Sequence, residues 1–84
     1  MTTFTTVAGL KVTKIVASTL NKEVMKEVAS QFPTYTKIEK KHVPACGYVF
    51  YIKNDGVILG KVCSELDIKS STRFMVIYNN QNFK

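Results

Sequence analysis

The residues of this 84-residue chain that could carry nucleophilic or metal chemistry are one histidine, His42, and two cysteines, Cys46 and Cys63. A thiol nucleophile needs an imidazole to take its proton and an acid to orient that imidazole. Pro44 separates His42 from Cys46, and Glu39 is the one nearby acid. Two cysteines and one histidine also lack a fourth zinc ligand. The sequence therefore predicts no enzyme, no bound metal and no cofactor.

The clearest structural pattern is a β-hairpin between Cys46 and Cys63. Two β-branched and aromatic runs flank Asn54-Asp55-Gly56, which is a strong turn signal because Gly56 can adopt a positive φ. We expect a three-residue loop, with Lys53 opposite Val57.

This register sorts the hairpin into two faces, because side chains alternate across a strand. The uncharged face is predicted to form the core and contains Tyr48, Phe50, Ile52, Ile58, Gly60 and Val62. The other face is predicted to be exposed and contains Val49, Tyr51, Lys53, Val57, Leu59 and Lys61.

The same register pairs Gly47 with Cys63 and therefore places the two thiols on opposite faces. That geometry is poor for a disulfide, so both cysteines are predicted to be reduced. The N-terminal residues lack a basic region followed by an apolar run, so no signal peptide is expected. No apolar run reaches the length needed to cross a bilayer. The predicted location is cytoplasmic, in the host if the protein is encoded by a phage.

One amphipathic helix is predicted from Leu20 to Phe32. Asn21 is a good N-cap, and Pro33 ends the helix because the residue before a proline is disfavoured in the α region. Apolar residues recur at helical spacing on one face, which we expect to cover the uncharged face of the hairpin.

The remaining segments complete a small α+β domain over residues 1–84. Thr3–Val16 reads as one strand, or as two strands interrupted at Gly9, with the imperfect alternation of an edge or half-exposed strand. Tyr35–His42 is predicted as a polar, lysine-rich edge strand or an exposed arm. Ser64–Thr72 reads as a polar connector, Arg73–Tyr78 as an interior strand and residues 79–84 as a frayed tail. The expected architecture is an antiparallel sheet of four to five strands with one helix packed on one face.

The net charge of +6 and the pI of about 9.5 favour acidic partners. Arg73 is the one arginine among twelve basic residues, which weakens a prediction of sequence-specific nucleic-acid binding.

The first strand of the hairpin partly matches the signature of the RNA-recognition motif. Gly47, Tyr48 and Phe50 agree with that signature, whereas Cys46 replaces a basic residue and Val49 replaces a small one. The signature needs its aromatic rings displayed on an open face, but the predicted register assigns Tyr48 and Phe50 to the core. RNA recognition by this motif is therefore disfavoured.

The prediction for function is a small non-enzymatic binding protein, an adaptor or inhibitor that occludes a protein partner and is compatible with a phage or mobile-element origin. The expected partner-binding residues are Val49, Tyr51, Lys53, Leu59 and Lys61. Self-association into a homodimer through this face is a further option, and no membrane partner is expected. The alternative is nucleic-acid binding through Lys37, Lys40, Lys41, Tyr51, Lys53 and Lys61.

Overall fold

The computed structural model describes residues 1–44 and 47–80, which fold into one antiparallel sheet and one helix. The elements are β1 (Thr2–Thr5), β2 (Lys11–Val16), α1 (Lys22–Gln31), β3 (Lys37–Val43), β4 (Gly47–Asn54), β5 (Val57–Asp67) and β6 (Thr72–Asn79). The α+β class is confirmed. The described residues form six strands, so the expected four to five was too few.

The strands lie in the order β1-β2-β6-β5-β4-β3, so β1 and β3 are the edges. The prediction of a polar edge strand is confirmed by β3, and that of an interior strand by β6. Thr3–Val16 forms two strands joined by a turn in which Gly9 has a φ of 86°. Strand β2 is not an edge, because it lies between β1 and β6.

Strand β5 is longer than its composition suggests. The segment Ser64–Thr72 was wrongly predicted as a connector: β5 continues to Asp67 and remains paired with β6 as far as Thr72. Pairing with β6 satisfies the backbone hydrogen-bonding groups of this polar segment. This gain outweighs the weak preference of its polar side chains for irregular structure.

The turn of the central hairpin is tighter than the predicted three-residue loop. Asn54 pairs with Val57, and the two residues between them, Asp55 and Gly56, both have positive φ (48° and 85°). Positive φ at both central positions is typical of a type I′ turn, whose twist matches that of the strands.

A bulge then shifts the register of the hairpin again. Lys53 pairs with Ile58 but Ile52 pairs with Gly60, which leaves Leu59 as the extra residue. Beyond the bulge the true register differs from the predicted one by two residues, and a shift of two preserves the alternation of faces. Near the turn the shift is one residue, so Ile58 is 46% exposed instead of lying in the core.

Helix α1 covers one face of the sheet and begins as expected. The side chain of Asn21 accepts a hydrogen bond from the backbone N–H of Val24 (2.9 Å). The helix is shorter than predicted, ending at Gln31 with Phe32 as its C-cap. Its buried side chains join residues from four strands in one core, whose members are Ile15, Val24, Val28, Phe32, Ile52, Val62, Met75 and Ile77.

The closest approach of helix and sheet occurs where Phe32 lies against Gly60. A Cβ atom built on Gly60 would lie 2.7 Å from Cζ of the Phe32 ring and 2.4 Å from the carbonyl oxygen of Tyr78. Both distances are too short for a real contact, so this position needs a residue without a side chain. The sequence-based assignment of Gly60 to the core face is right, and the ring that lies against it is that of Phe32.

A buried polar network links the end of the helix to β2 and β6. Gln31 Nε2 donates to Thr13 Oγ1 (2.9 Å), and Asn79 Nδ2 donates to Gln31 Oε1 (3.2 Å). Thr13 and Asn79 are both fully buried. Asn79 was predicted to begin a frayed tail, but it is the last residue of β6. The predictions for Cys46 and for residues 81–84 fall outside the described residues.

We expect Gly60→Ala to lower the free energy of unfolding by about 1–3 kcal/mol, because overpacking forces the ring or the strand to move. Urea unfolding followed by circular dichroism measures this. The loss should be smaller in a Phe32→Leu background, which removes the ring. An equal loss in both backgrounds would show that the carbonyl oxygen of Tyr78, and not the Phe32 ring, determines the cost of a side chain at residue 60.

We expect Asn79→Ala to cost about 1–3 kcal/mol of stability, because it removes a fully buried side chain that donates to the side-chain amide oxygen of Gln31. Asn80→Ala is a matched control, since Asn80 is exposed and contributes its backbone N–H to Leu59. Thermal unfolding of both variants tests the network. Equal melting temperatures for the two variants would contradict it.

Candidate protein-binding surface

The sheet surface opposite the helix, here called the open face, is assembled by the strand register. One row crosses all six strands and contains Phe4, Val12, Tyr78, Lys61, Tyr51 and Glu39. The adjacent row contains Thr2, Lys14, Val76, Cys63, Val49 and Lys41. A shorter third row contains Val16, Phe74 and Glu65. Within residues 1–44 and 47–80, no helix or strand packs over these rows.

Apolar residues on the open face are nevertheless buried. Val76 is fully buried, and Val12 and Val49 are nearly so. Long side chains beside them supply cover: Lys14 Nζ lies 5.9 Å from the centre of the Phe74 ring. Lysine stems and aromatic rings can shield apolar neighbours while keeping their polar ends in water. The open face is therefore a partly covered apolar layer.

Tyr78 lies in the middle of the open face and contacts two charged side chains, Glu65 and Lys61. Its hydroxyl donates a hydrogen bond to the carboxylate of Glu65, and Lys61 Nζ lies 5.3 Å from the centre of its ring. Burial, and then the hydrogen bond to Glu65, raise the pKa of the Tyr78 phenol well above its usual value of 10.0. The phenol thus remains a neutral donor that holds Glu65 in place.

Two lysines at the β3 end of the open face share one carboxylate. Lys53 Nζ lies 3.3 Å from Glu39 Oε1, and Lys37 Nζ lies 3.6 Å from Glu39 Oε2. The hydrogen bond from Lys53 lowers the pKa of Glu39, and the positive charges of both lysines act in the same direction. This pairing reduces the positive charge that β3 and β4 present to a partner.

The predicted partner-binding residues do not form one exposed patch. Tyr51, Lys53 and Lys61 lie on the open face and are half-buried. Val49 lies on the same face but is buried beneath its neighbours. Leu59, predicted to be exposed there, packs against the helix-side core because the bulge turns it inward.

The residues predicted for nucleic-acid binding are divided between the two sides of the sheet. Lys37, Lys41, Tyr51, Lys53 and Lys61 belong to the open side. Lys40 belongs to the helix side, where its Nζ lies 4.0 Å from the centre of the Tyr48 ring. A single strand of nucleic acid on one face would therefore not contact the whole set.

Two exposed apolar residues of the open face near β1 were missed by the sequence-based prediction. Phe4 is 45% exposed and Val16 is 63% exposed, and Val16 pairs with the half-buried Phe74. Phe4 belongs to edge strand β1, and Val16 lies on β2, two residues beyond the last pair with β1. The alternation of Phe74, Val76 and Tyr78 was visible in the sequence, but the register of β1 and β2 was needed to place Phe4 and Val16 beside them.

The described residues show no grouping suited to metal or thiol catalysis. Within residues 1–44 and 47–80, no three side chains among His, Cys, Asp and Glu are gathered closely enough to hold a metal ion. His42 lies on the helix side beside Tyr48, whereas Cys63 lies on the open face opposite Val49. The sheet thus separates this thiol from the imidazole. No helix in this part of the chain is both long and apolar enough to span a membrane.

Comparisons with protein-family models, with curated proteins and with solved structures give no match.

We expect the stability of the protein to fall above pH 10 in a way that depends on Tyr78. A phenol whose pKa is raised by folding stabilises the fold fully below its unfolded pKa of about 10, and that stabilisation is lost as the pH rises further. Tyr78→Phe should therefore show a shallower alkaline decline in the free energy of unfolding, measured by urea titrations at pH 8 and pH 11.

Tyr48→Phe is the matched control, because it removes a hydroxyl from a ring on the other side of the sheet, and it should follow the wild type. An identical decline in Tyr78→Phe and wild type would contradict the contact between Tyr78 and Glu65.

Proposed function

We propose that this protein is a non-enzymatic binding module that captures an extended, acidic segment of another protein along edge strand β1. The observation that carries this proposal is the difference between the two edges of the sheet. An exposed sheet edge offers unpaired backbone N–H and C=O groups to an incoming strand.

Strand β1 is short, but it carries neither the charged side chains nor the proline that usually block such pairing. All four of its residues are exposed, and the sequence contains no charged side chain between Met1 and Leu10. Three of the four are threonines, which favour extended structure. Proteins commonly protect sheet edges with charged residues or proline, so an unprotected edge is a candidate docking strand.

Strand β3, the opposite edge, is protected in the usual way. Its residues include Lys37, Glu39, Lys40 and Lys41, and Pro44 follows the strand directly. Both edges belong to the same sheet, so they can be compared directly: β3 carries charged residues and is followed by proline, whereas β1 has neither. This contrast supports β1 as the edge that accepts a partner.

The open face beside β1 provides side-chain contacts for the same segment. A bound strand would place alternate side chains over this side of the sheet, where Phe4 and Val16 leave apolar surface exposed. Lys14 lies beside Phe74 in this region and would attract an acidic residue. Backbone pairing would supply affinity, and these side chains would supply selectivity.

The charge of the protein favours a different chain over a second copy as the occupant. Two copies of a chain with a net charge of +6 repel each other, whereas an acidic segment is attracted. A segment held on β1 would be withheld from its other contacts, which is how an adaptor or inhibitor could occlude its target. Nucleic acid is the less favoured ligand, because Glu39 pairs with two lysines of the basic set.

The test begins with selection of peptides from a displayed random library and measurement of their affinity as synthetic peptides. We expect acidic peptides with alternating apolar residues, and amide chemical-shift changes at Thr2–Thr5 when they bind. Phe4→Lys should weaken binding about tenfold or more, because it removes apolar contact and places a charge on the edge.

Val57→Lys is the matched control, since Val57 is an exposed apolar residue at the far hairpin tip, and it should change the affinity less than about twofold. Failure to select any peptide, or equal affinity in Phe4→Lys and wild type, would contradict the proposal. Tighter binding of single-stranded oligonucleotides, with affinity falling steeply with salt, would favour the alternative ligand.

A further inference from the structure

A cavity of about 320 Å³ opens on the helix side of the sheet, beside the segment that leads from β2 into α1. Its volume is at the lower end of the range of ligand-binding pockets, about 300–1,000 Å³. The lining residues come from that segment and from strands β3 to β6: Ser18, Thr19, Leu20, Lys40, Gly47, Tyr48, Phe50, Ser64, Arg73 and Met75.

The cavity exists because the helix is too small to cover the sheet. A helix of ten residues is about 15 Å long, whereas six strands span about 24 Å. The corner formed by β3, β4 and β5 near the start of the helix is left uncovered. This also explains why Tyr48, predicted to lie in the core, is 49% exposed.

The cavity carries two positive charges and no negative one among its described lining residues. Lys40 and Arg73 come from different strands, and in the part of the chain that the structure describes neither forms an ion pair. Arg73 Nη1 donates a hydrogen bond to Ser64 Oγ (2.9 Å), and Lys40 Nζ lies over the Tyr48 ring. These contacts orient both cations at the cavity.

The rest of the lining is suited to a ligand with an apolar body. Phe50 and the half-exposed ring of Tyr48 supply apolar surface, whereas Met75 is almost fully buried in the core behind them. Hydroxyl groups of Ser18, Thr19 and Ser64 supply further hydrogen-bond donors. An apolar pocket with a few convergent polar groups is the usual form of a small-molecule site.

We propose that this cavity binds a small organic anion, with its phosphate or carboxylate head at Lys40 and Arg73 and a flat apolar body against Phe50 and Tyr48. Arginine binds such heads in two-point fashion, and lysine adds a second charge. The site lies on the opposite side of the sheet from the open face. Its test is therefore independent of protein capture at β1.

The test uses the full chain and two ring-bearing anions, phenyl phosphate and benzoate, followed by amide chemical shifts. We expect saturable changes at Ser18, Thr19 and Ser64 with at least one of them. The anion with the higher affinity identifies the head group. Inorganic phosphate and phenol, which each lack one half of the ligand, should bind about tenfold more weakly or not at all.

Variants distinguish a built site from general attraction to a basic protein. Lys40→Gln and Arg73→Gln should each weaken binding about tenfold, as expected for loss of one charge-assisted hydrogen bond. Lys69→Gln removes the same charge from an exposed residue outside the cavity and should have little effect. Equal effects of all three variants, or no saturable binding of either anion, would overturn the proposal.

Discussion

The contact between the Phe32 ring and Gly60 is the constraint on which the rest of the structure depends. Phe32 ends the helix, and Gly60 lies in an interior strand just beyond a bulge. The ring occupies the space that any side chain at residue 60 would need. Because this contact fixes one end of the helix over the sheet, it also fixes which strands the helix covers. The buried network from Gln31 to Thr13 and Asn79 holds the same end against β2 and β6.

This single-helix arrangement leaves two different surfaces available for binding. On the helix side, the helix covers the centre of the sheet and leaves a corner where Lys40 and Arg73 meet apolar surface. On the other side, the apolar layer is covered by its own rings and lysine stems, except at Phe4 and Val16 near β1 and at Ile58 near the hairpin turn. A chain of this size buries only about two-thirds of its unfolded surface, so incomplete cover of a six-stranded sheet is expected. Peptide capture is proposed at the surface near β1, and anion binding at the uncovered corner on the helix side.

Local signals predicted the helix and the hairpin, whereas features set by long-range pairing were missed. Asn21 and Pro33 marked the helix ends to within two residues, and the positive φ of Gly56 followed from its turn. The bulge at Leu59 cannot be recognised from the alternation of apolar and polar residues, because leucine is compatible with either face of the sheet. Leu59 was therefore assigned to the wrong face. The polar end of β5 read as a loop, since its pairing with β6 cannot be inferred from composition. The lysines of β3 correctly predicted an edge strand. That β1 forms the opposite edge depends on the order of all six strands, which the sequence pattern does not reveal.

The most direct test of this account is the proton NMR spectrum of Gly60 in the full chain. An aromatic ring against a glycine shifts that glycine's α-proton resonances through its ring current, and protons in such contact show strong nuclear Overhauser effects. The account predicts displaced Gly60 α-proton shifts and Overhauser contacts to the Phe32 ring, both lost in Phe32→Leu. Gly60 α-proton shifts at ordinary strand values, without contacts to Phe32, would contradict the placement of the helix and with it the origin of both binding surfaces.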